Sequence, residues 1–289
     1  MGWIQKAFWF LIFIFVVVWL VWLTVGNSRT ENESAQKKES PQRSYSLLGK
    51  GWVSGSLFSF GTSIREEPTS YFKDTVSFSD AGGAGESDPN KEYVEIKASP
   101  WNKDIIIVSG WSLKTSSGKI IEIGYASDMP RRGAVNEEGL IALLPGDRLA
   151  VISGRSPLGV SFRENVCSGY LEQFQDFSPP ILLSCPNPSI DMAGKNLSVE
   201  PACVAFIAGM NTCETPLTGF PGDISQECFL FAQTDLTYNG CVSLHQNDLF
   251  FFKDLWRFYA RENEEVWNNK GGVIRLYDAD KKLVDSLLY

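Results

Sequence analysis

The chain has 289 residues, of which 44% are hydrophobic and 13% aromatic, enough to bury a sizeable core in one or two domains. Its 25 glycines and 14 prolines suit a turn-rich β protein. A net charge of -8 opposes general binding to phosphate backbones, which needs concentrated Lys and Arg, so nucleic acid is not an expected bulk partner.

From Ala7 to Val25 runs AFWFLIFIFVVVWLVWLTV, with no charged side chain. At ~1.5 Å rise per residue it spans roughly 28 Å, about the hydrocarbon thickness of a bilayer. The expectation is a transmembrane anchor over residues 1–25, with Trp3, Trp9, Trp19 and Trp22 suited to the two interfacial belts. A cleaved signal peptide fits less well, because its apolar region is usually shorter and no A-x-A-like site follows. Arg29, Lys37, Lys38 and Arg43 would by count hold the C-terminal part in the cytoplasm. Long domains translocate largely regardless of charge, however, and the cysteines described below favour an extracytoplasmic C-terminal domain on a single-pass membrane protein.

Residues 26–46 are almost devoid of apolar side chains and read as a flexible linker. Residues 47–90 form a lead-in region of unassigned structure, closed by the turn-rich AGGAGESDPN. The first convincing strand is KEYVEIKAS. DIIIVSGWSLKTSSGKIIEIGY and LIALLPGDRLAVISG then break into short β-branched runs separated by Gly, Pro and Ser, and VIRLY and LVDSLLY flank the turn DADKK near the C-terminus. The pattern is that of a β-sandwich.

The GW-x-L turn at Gly110 to Leu113, the L-x-PG element at Leu143 to Val151 and the W-x-N-x-G-x-x-I-x-L-x-D element at Trp267 to Asp278 resemble the lamin tail domain, in the right order. The resemblance implies a mainly β, immunoglobulin-like sandwich over residues 91–289. It also implies an interruption, because residues 160–261 stand where an ordinary lamin tail has a short connection. GRSPLGVSFRENVCSGYLEQFQDFSPPILLSCP, LTYNGCVSLHQND and LWRFYARENEEVWNN resemble segments of membrane-anchored proteins of candidate-phyla bacteria that carry such an interrupted lamin tail, a resemblance over most of the chain. The resemblance brings no catalytic residue and no assigned activity.

All six cysteines, Cys167, Cys185, Cys203, Cys213, Cys228 and Cys241, lie inside this insertion. An even number without a C-x-x-C pair fits disulfides in an oxidising compartment. SVEPACVAFIAGMNTC and DISQECFLFAQTDLTYNGCVSLHQND have helix-like apolar spacing around a Pro and Gly connection, so a helical hairpin is expected. Cys203 and Cys213 are ~15 Å apart on one helix, too far to pair. An antiparallel hairpin would join Cys213 to Cys228 and Cys203 to Cys241, leaving Cys167 for Cys185, one of fifteen possible pairings.

The single histidine, His245, has no second histidine to share a metal or a base role, so it reads as structural or surface, and no metal, cofactor-binding or catalytic residue is assigned. The many carboxylates show no spacing that singles out a pair, and no nucleophile elbow or phosphate loop is present. Arg131, Arg132, Arg155 and Arg163 are the one hint of an anion-binding face. The aromatic runs GYLEQFQDF and DLFFFKDLWRFY suit the seam between insertion and sandwich. The expected function is a non-catalytic binding or structural module at the cell surface, tied to the membrane by its N-terminal helix, with a protein or cell-envelope partner. The alternatives are an envelope-polymer hydrolase using paired carboxylates, or a surface DNA receptor.

Overall fold

The computed structural model describes residues 67–289, Asn196 excepted. The anchor expected over 1–25, the linker over 26–46 and the first part of the lead-in region lie outside the described residues, among which no helix is long and apolar enough to cross a membrane. The described chain is mainly β, with short helices and three disulfides.

Strands β1 (Val76–Asp80), β2 (Tyr93–Ala98), β3 (Ile106–Ile107), β4 (Ser112–Thr115), β5 (Ile120–Glu122), β6 (Tyr125–Ala126), β7 (Gly139–Leu140), β8 (Ala142–Leu143), β9 (Arg148–Ile152) and β10 (Phe162–Asn165) precede the helical part. Strands β11 (Phe252–Tyr259), β12 (Val273–Tyr277) and β13 (Leu283–Leu288) follow it. One sheet has the order β1-β2-β9-β11-β10 and a second has the order β13-β12-β4-β5. The ladders β3-β8 and β6-β7 stand apart from both. The β2, β4, β5, β9, β12 and β13 segments, and the short β3, β7 and β8, fall in or beside the alternating or β-branched apolar runs that predict strands.

The two large sheets face each other across one core. Val94, Ile96, Leu149, Val151, Trp256 and Phe258 come from the first sheet and Leu113, Ile121, Ile274, Leu276 and Val284 from the second, with Trp111 and Trp267 buried among them. Burying each large apolar side chain contributes roughly 1.5–3 kcal/mol. A loop contact closes this core: Glu92, just before β2, accepts hydrogen bonds from the amides of Val266 (2.8 Å) and Trp267 (2.6 Å). Burial pushes the Glu92 carboxyl up, against the opposing pull of Ser153 and those two amides.

The first sheet is covered on its other face as well. Successive residues of β9 alternate between two cores, Leu149 and Val151 facing the sandwich and Ala150 and Ile152 facing the helices. In β11, Trp256 and Phe258 belong to the sandwich, Leu255 and Tyr259 to the second core. Double-sided burial explains why Leu149–Ile152 of β9 is apolar without interruption and Leu255–Tyr259 of β11 is apolar but for Arg257. Strands β10 and β11 fall inside the stretch expected to be an insertion, yet β11 runs parallel to β9 in the middle of the sheet and β10 pairs antiparallel with β11 at its edge.

Five short helices make the outer layer: α1 (Gly169–Glu172), α2 (Pro188–Gly194), α3 (Pro201–Ala208), α4 (Gln226–Thr234) and α5 (Tyr238–His245). Asn187, Ser225 and Thr237 cap α2, α4 and α5, each accepting a first-turn amide. The expected second helix of a hairpin is therefore two helices, broken at Thr237. Gly240 makes the break possible, since a Cβ there would overlap the Thr234 carbonyl oxygen.

The disulfides are Cys167–Cys241, Cys185–Cys213 and Cys203–Cys228, so all three expected pairings are corrected. The reason lies in how the helices meet. Cys203 and Cys228 each sit in the first turn of their helix, and the Glu200 carboxylate before α3 accepts from the amide (2.7 Å) and hydroxyl (2.6 Å) of Ser225 before α4. The helices thus join start to start, where an antiparallel hairpin would join end to start. The break at Thr237 carries Cys241 away from Cys203 to Cys167. Cys213 lies past the end of α3 in a left-handed turn (φ 61°) and reaches Cys185. Cys203 and Cys213 do not pair, as expected, although Cys213 is not on the helix that the expected spacing assumes.

Candidate binding surface of the stapled layer

The outer layer has no core apart from the sheet: Cys203, Cys228 and Cys241, together with Phe231, Val242 and Tyr238, pack in one cluster with Ala150, Ile152, Phe162 and Tyr259. A buried ion pair between neighbouring strands lies beneath this layer, and its arginine reaches across to it. Arg257 of β11 is fully buried; its Nε donates to Glu164 of β10 (2.7 Å) and its Nη1 to the Pro179 carbonyl (2.6 Å), beneath the Phe177 ring. An unpaired guanidinium in that position would be very costly, and two charge-assisted bonds in good geometry offset the cost. Nearby, Glu172 accepts from the Ile181 amide (3.1 Å), and burial raises its carboxyl.

Two cavities flank the Cys185–Cys213 bridge. One, of about 410 Å³, is bordered by Tyr170, Pro186, Asn187, Ile207, Met210 and Glu214. The other, of about 310 Å³, lies on the far side of Asn211–Glu214 and is bordered by Glu172, Gln173 and Leu183. The wall between them is held in shape by Glu214, which accepts from both the amide and the side-chain nitrogen of Asn211 at 2.8 Å. Gly169 of α1 backs the bridge so closely that a Cβ would overlap the Cys213 sulfur. Burial pushes the Tyr170 hydroxyl up to about 12, with Asp191 adding to the shift, so it enters this cavity as a neutral hydrogen-bonding group. A third cleft, of about 560 Å³, follows the seam between sandwich loops and outer layer, with Lys91 and Arg155 on one side and Asp176 and Phe177 on the other.

The four arginines are engaged separately. Arg131 donates to Ser243 (3.1 Å) and Gln246 (3.0 Å) beside α5, and Arg132 lies over the Phe174 ring. Arg155 follows the far end of β9 and donates to Asn263 (3.1 Å). Arg163 is paired with Asp147 (3.1 Å) between the rings of Phe252 and Trp256, level with the start of β9. Arg155 and Arg163 therefore occupy opposite ends of the sheet.

His245 is not a lone side chain. Its Nδ1 lies 2.8 Å from Asp248 and its Nε2 3.3 Å from Asp191 of α2, a clasp between two helices of the outer layer. Burial lowers its pKa, but the two carboxylates outweigh that and raise it overall. Asp248 is a sequence neighbour of His245, but Asp191 lies 54 residues away, so only the fold reveals the clasp. Among the described residues no group of three or more His, Cys, Asp or Glu is placed to hold a metal ion. Neither family models, nor curated proteins, nor solved structures provide a match to this chain.

Proposed function

We propose that the chain is a membrane-anchored module of the lamin-tail type, displayed on the cell surface, that binds a protein or cell-envelope component rather than catalysing a reaction. The observation that carries the reading is the stapled outer layer: three bridges fix short helices and two cavities on one face of a rigid sheet. Such bonds persist outside the reducing cytosol. The resemblance is supported by the placement of its motifs, which fall on or beside strands β4, β9 and β12 and bury Trp111 and Trp267 in the sandwich core. Binding rather than chemistry is supported by the buried carboxylates, since Glu92, Glu95, Asp147, Glu164 and Asp278 are each bound to a backbone amide or an arginine.

The test uses intact bacterial cells expressing the full chain. Externally added protease is expected to remove the C-terminal domain, and a thiol reagent is expected to label six cysteines only after reduction. Protection of the domain in intact cells, or six reactive thiols before reduction, overturns the surface assignment. Release of soluble fragments from purified envelope polymer by the isolated protein overturns the non-catalytic one.

A further inference from the structure

Turns are ordinarily built from Gly, Pro, Asn, Asp and Ser. Three turns of this protein instead place large apolar side chains at their corners. Tyr71 is 88% exposed in the turn Ser70–Lys73, Trp101 is 89% exposed in Ser99–Asn102, and Leu249 and Phe250 are 87% and 82% exposed in Asp248–Phe251. Ile105 and Leu144 add exposed apolar surface beside them.

All three turns belong to one end of the molecule. Arg148, the first residue of β9, pairs with Lys97 of β2 and with Leu255 of β11, so the turns before β1, after β2 and before β11 leave the sheet in the same direction. Direct contacts link them: the Thr75 carbonyl accepts from the Ser99 amide (2.8 Å) and the Asn102 side chain (3.1 Å), and Arg163 joins Asp147 to the Lys253 carbonyl (3.0 Å). The described chain also enters at this end, where Pro68 and Ser70 bond to Leu283 and Ser70 bonds to Asp278.

We infer that this apolar fringe rests in the headgroup layer of a lipid bilayer, setting the domain upright on the membrane. The inference rests on the anchoring proposed above, because the nineteen uncharged residues from Ala7 to Val25 lie upstream of the point where the chain enters. Trp, Tyr and Phe with flanking Leu and Ile are the side chains that partition into this layer. Electrostatics contributes little: Lys73, Lys103, Lys281 and Lys282 at this end are interspersed with Asp74, Asp104, Asp278 and Asp280. Contact with neutral phosphatidylcholine and weak dependence on salt follow.

The full chain is reconstituted in phosphatidylcholine nanodiscs doped with a lipid bearing a photoreactive headgroup, and adducts are located by peptide mass spectrometry. Adducts are expected on residues 70–74, 100–105 and 248–252, and not on the equally exposed Val135 and Val199. They are expected to fall several-fold in a variant carrying Trp101→Ser and Phe250→Ser. Adducts confined to residues 1–25, or spread evenly over the domain, overturn the fringe while leaving the anchor intact. Crosslinks from these turns to a second copy overturn it in favour of a protein interface. Failure of the chain to stay with the nanodiscs overturns anchor and fringe together.

Discussion

The two faces of the five-stranded sheet are covered in different ways. On one face a second sheet supplies the apolar sides of short hydrogen-bonded strands, and no covalent crosslink is needed. On the other, helices of four to nine residues lie over Ala150, Ile152, Phe162 and Tyr259, tied together by three disulfides. Helices that short are not stable alone in water. A strand can borrow backbone hydrogen bonds from its neighbours, whereas a short helix needs its packing surface fixed from outside. The cysteines therefore lie on the helical side alone.

The largest test of this contrast replaces Cys167 and Cys241 by Ser together. The bridge spans 74 residues, and its loss is expected to cost about 4 kcal/mol on a chain-entropy account. Hydrogen exchange is expected to show α4 and α5 losing protection while β4, β12 and β13 keep theirs. Simultaneous loss in both sheets would show that the layers unfold as one unit.

Arg257 tests the seam itself. Arg257→Met leaves Glu164 buried without its partner and is expected to cost ~4 kcal/mol in chemical denaturation, most of it recovered when Glu164→Leu is added. A single variant as stable as the parent would mean that neither the pair nor the Arg257 bond to the Pro179 carbonyl contributes to holding the seam.

The smallest effect belongs to His245. Its raised pKa means that the clasp contributes fully below the ordinary imidazole value and is lost as pH rises through the folded value. His245→Gln is expected to lower stability by roughly 0.5–1 kcal/mol near about pH 5.5 and to change it little near about pH 9. Equal destabilisation at both values would locate the histidine's role in packing.

The sandwich was largely legible in the sequence because β2, β4, β5, β12 and β13 are separated by turn residues and carry apolar side chains at strand spacing. Strand β11 was not, since Leu255, Trp256, Phe258 and Tyr259 serve two cores and, with the buried Arg257 among them, lack the alternation that marks a half-covered strand. The outer layer was legible in composition and illegible in connection. Its cysteines announced disulfides, but their partners depend on where α4 stops, and that is set by Thr237 and by the tight approach of Gly240 to Thr234, neither of which has a periodic signature. The cavities beside Cys213 escaped for the same reason, as their walls come from separate segments that only the fold brings together.

The register Asn165 opposite Phe252 has a wider consequence. The chain leaves the sheet and returns to it at one paired position, so residues 166–251 hang from a single root. A tight reversal joining those two strands would close the sheet without the helices, and a different loop could be hung from the same root. Any such loop would have to cover Ala150, Ile152, Phe162 and Tyr259 on the strands beneath.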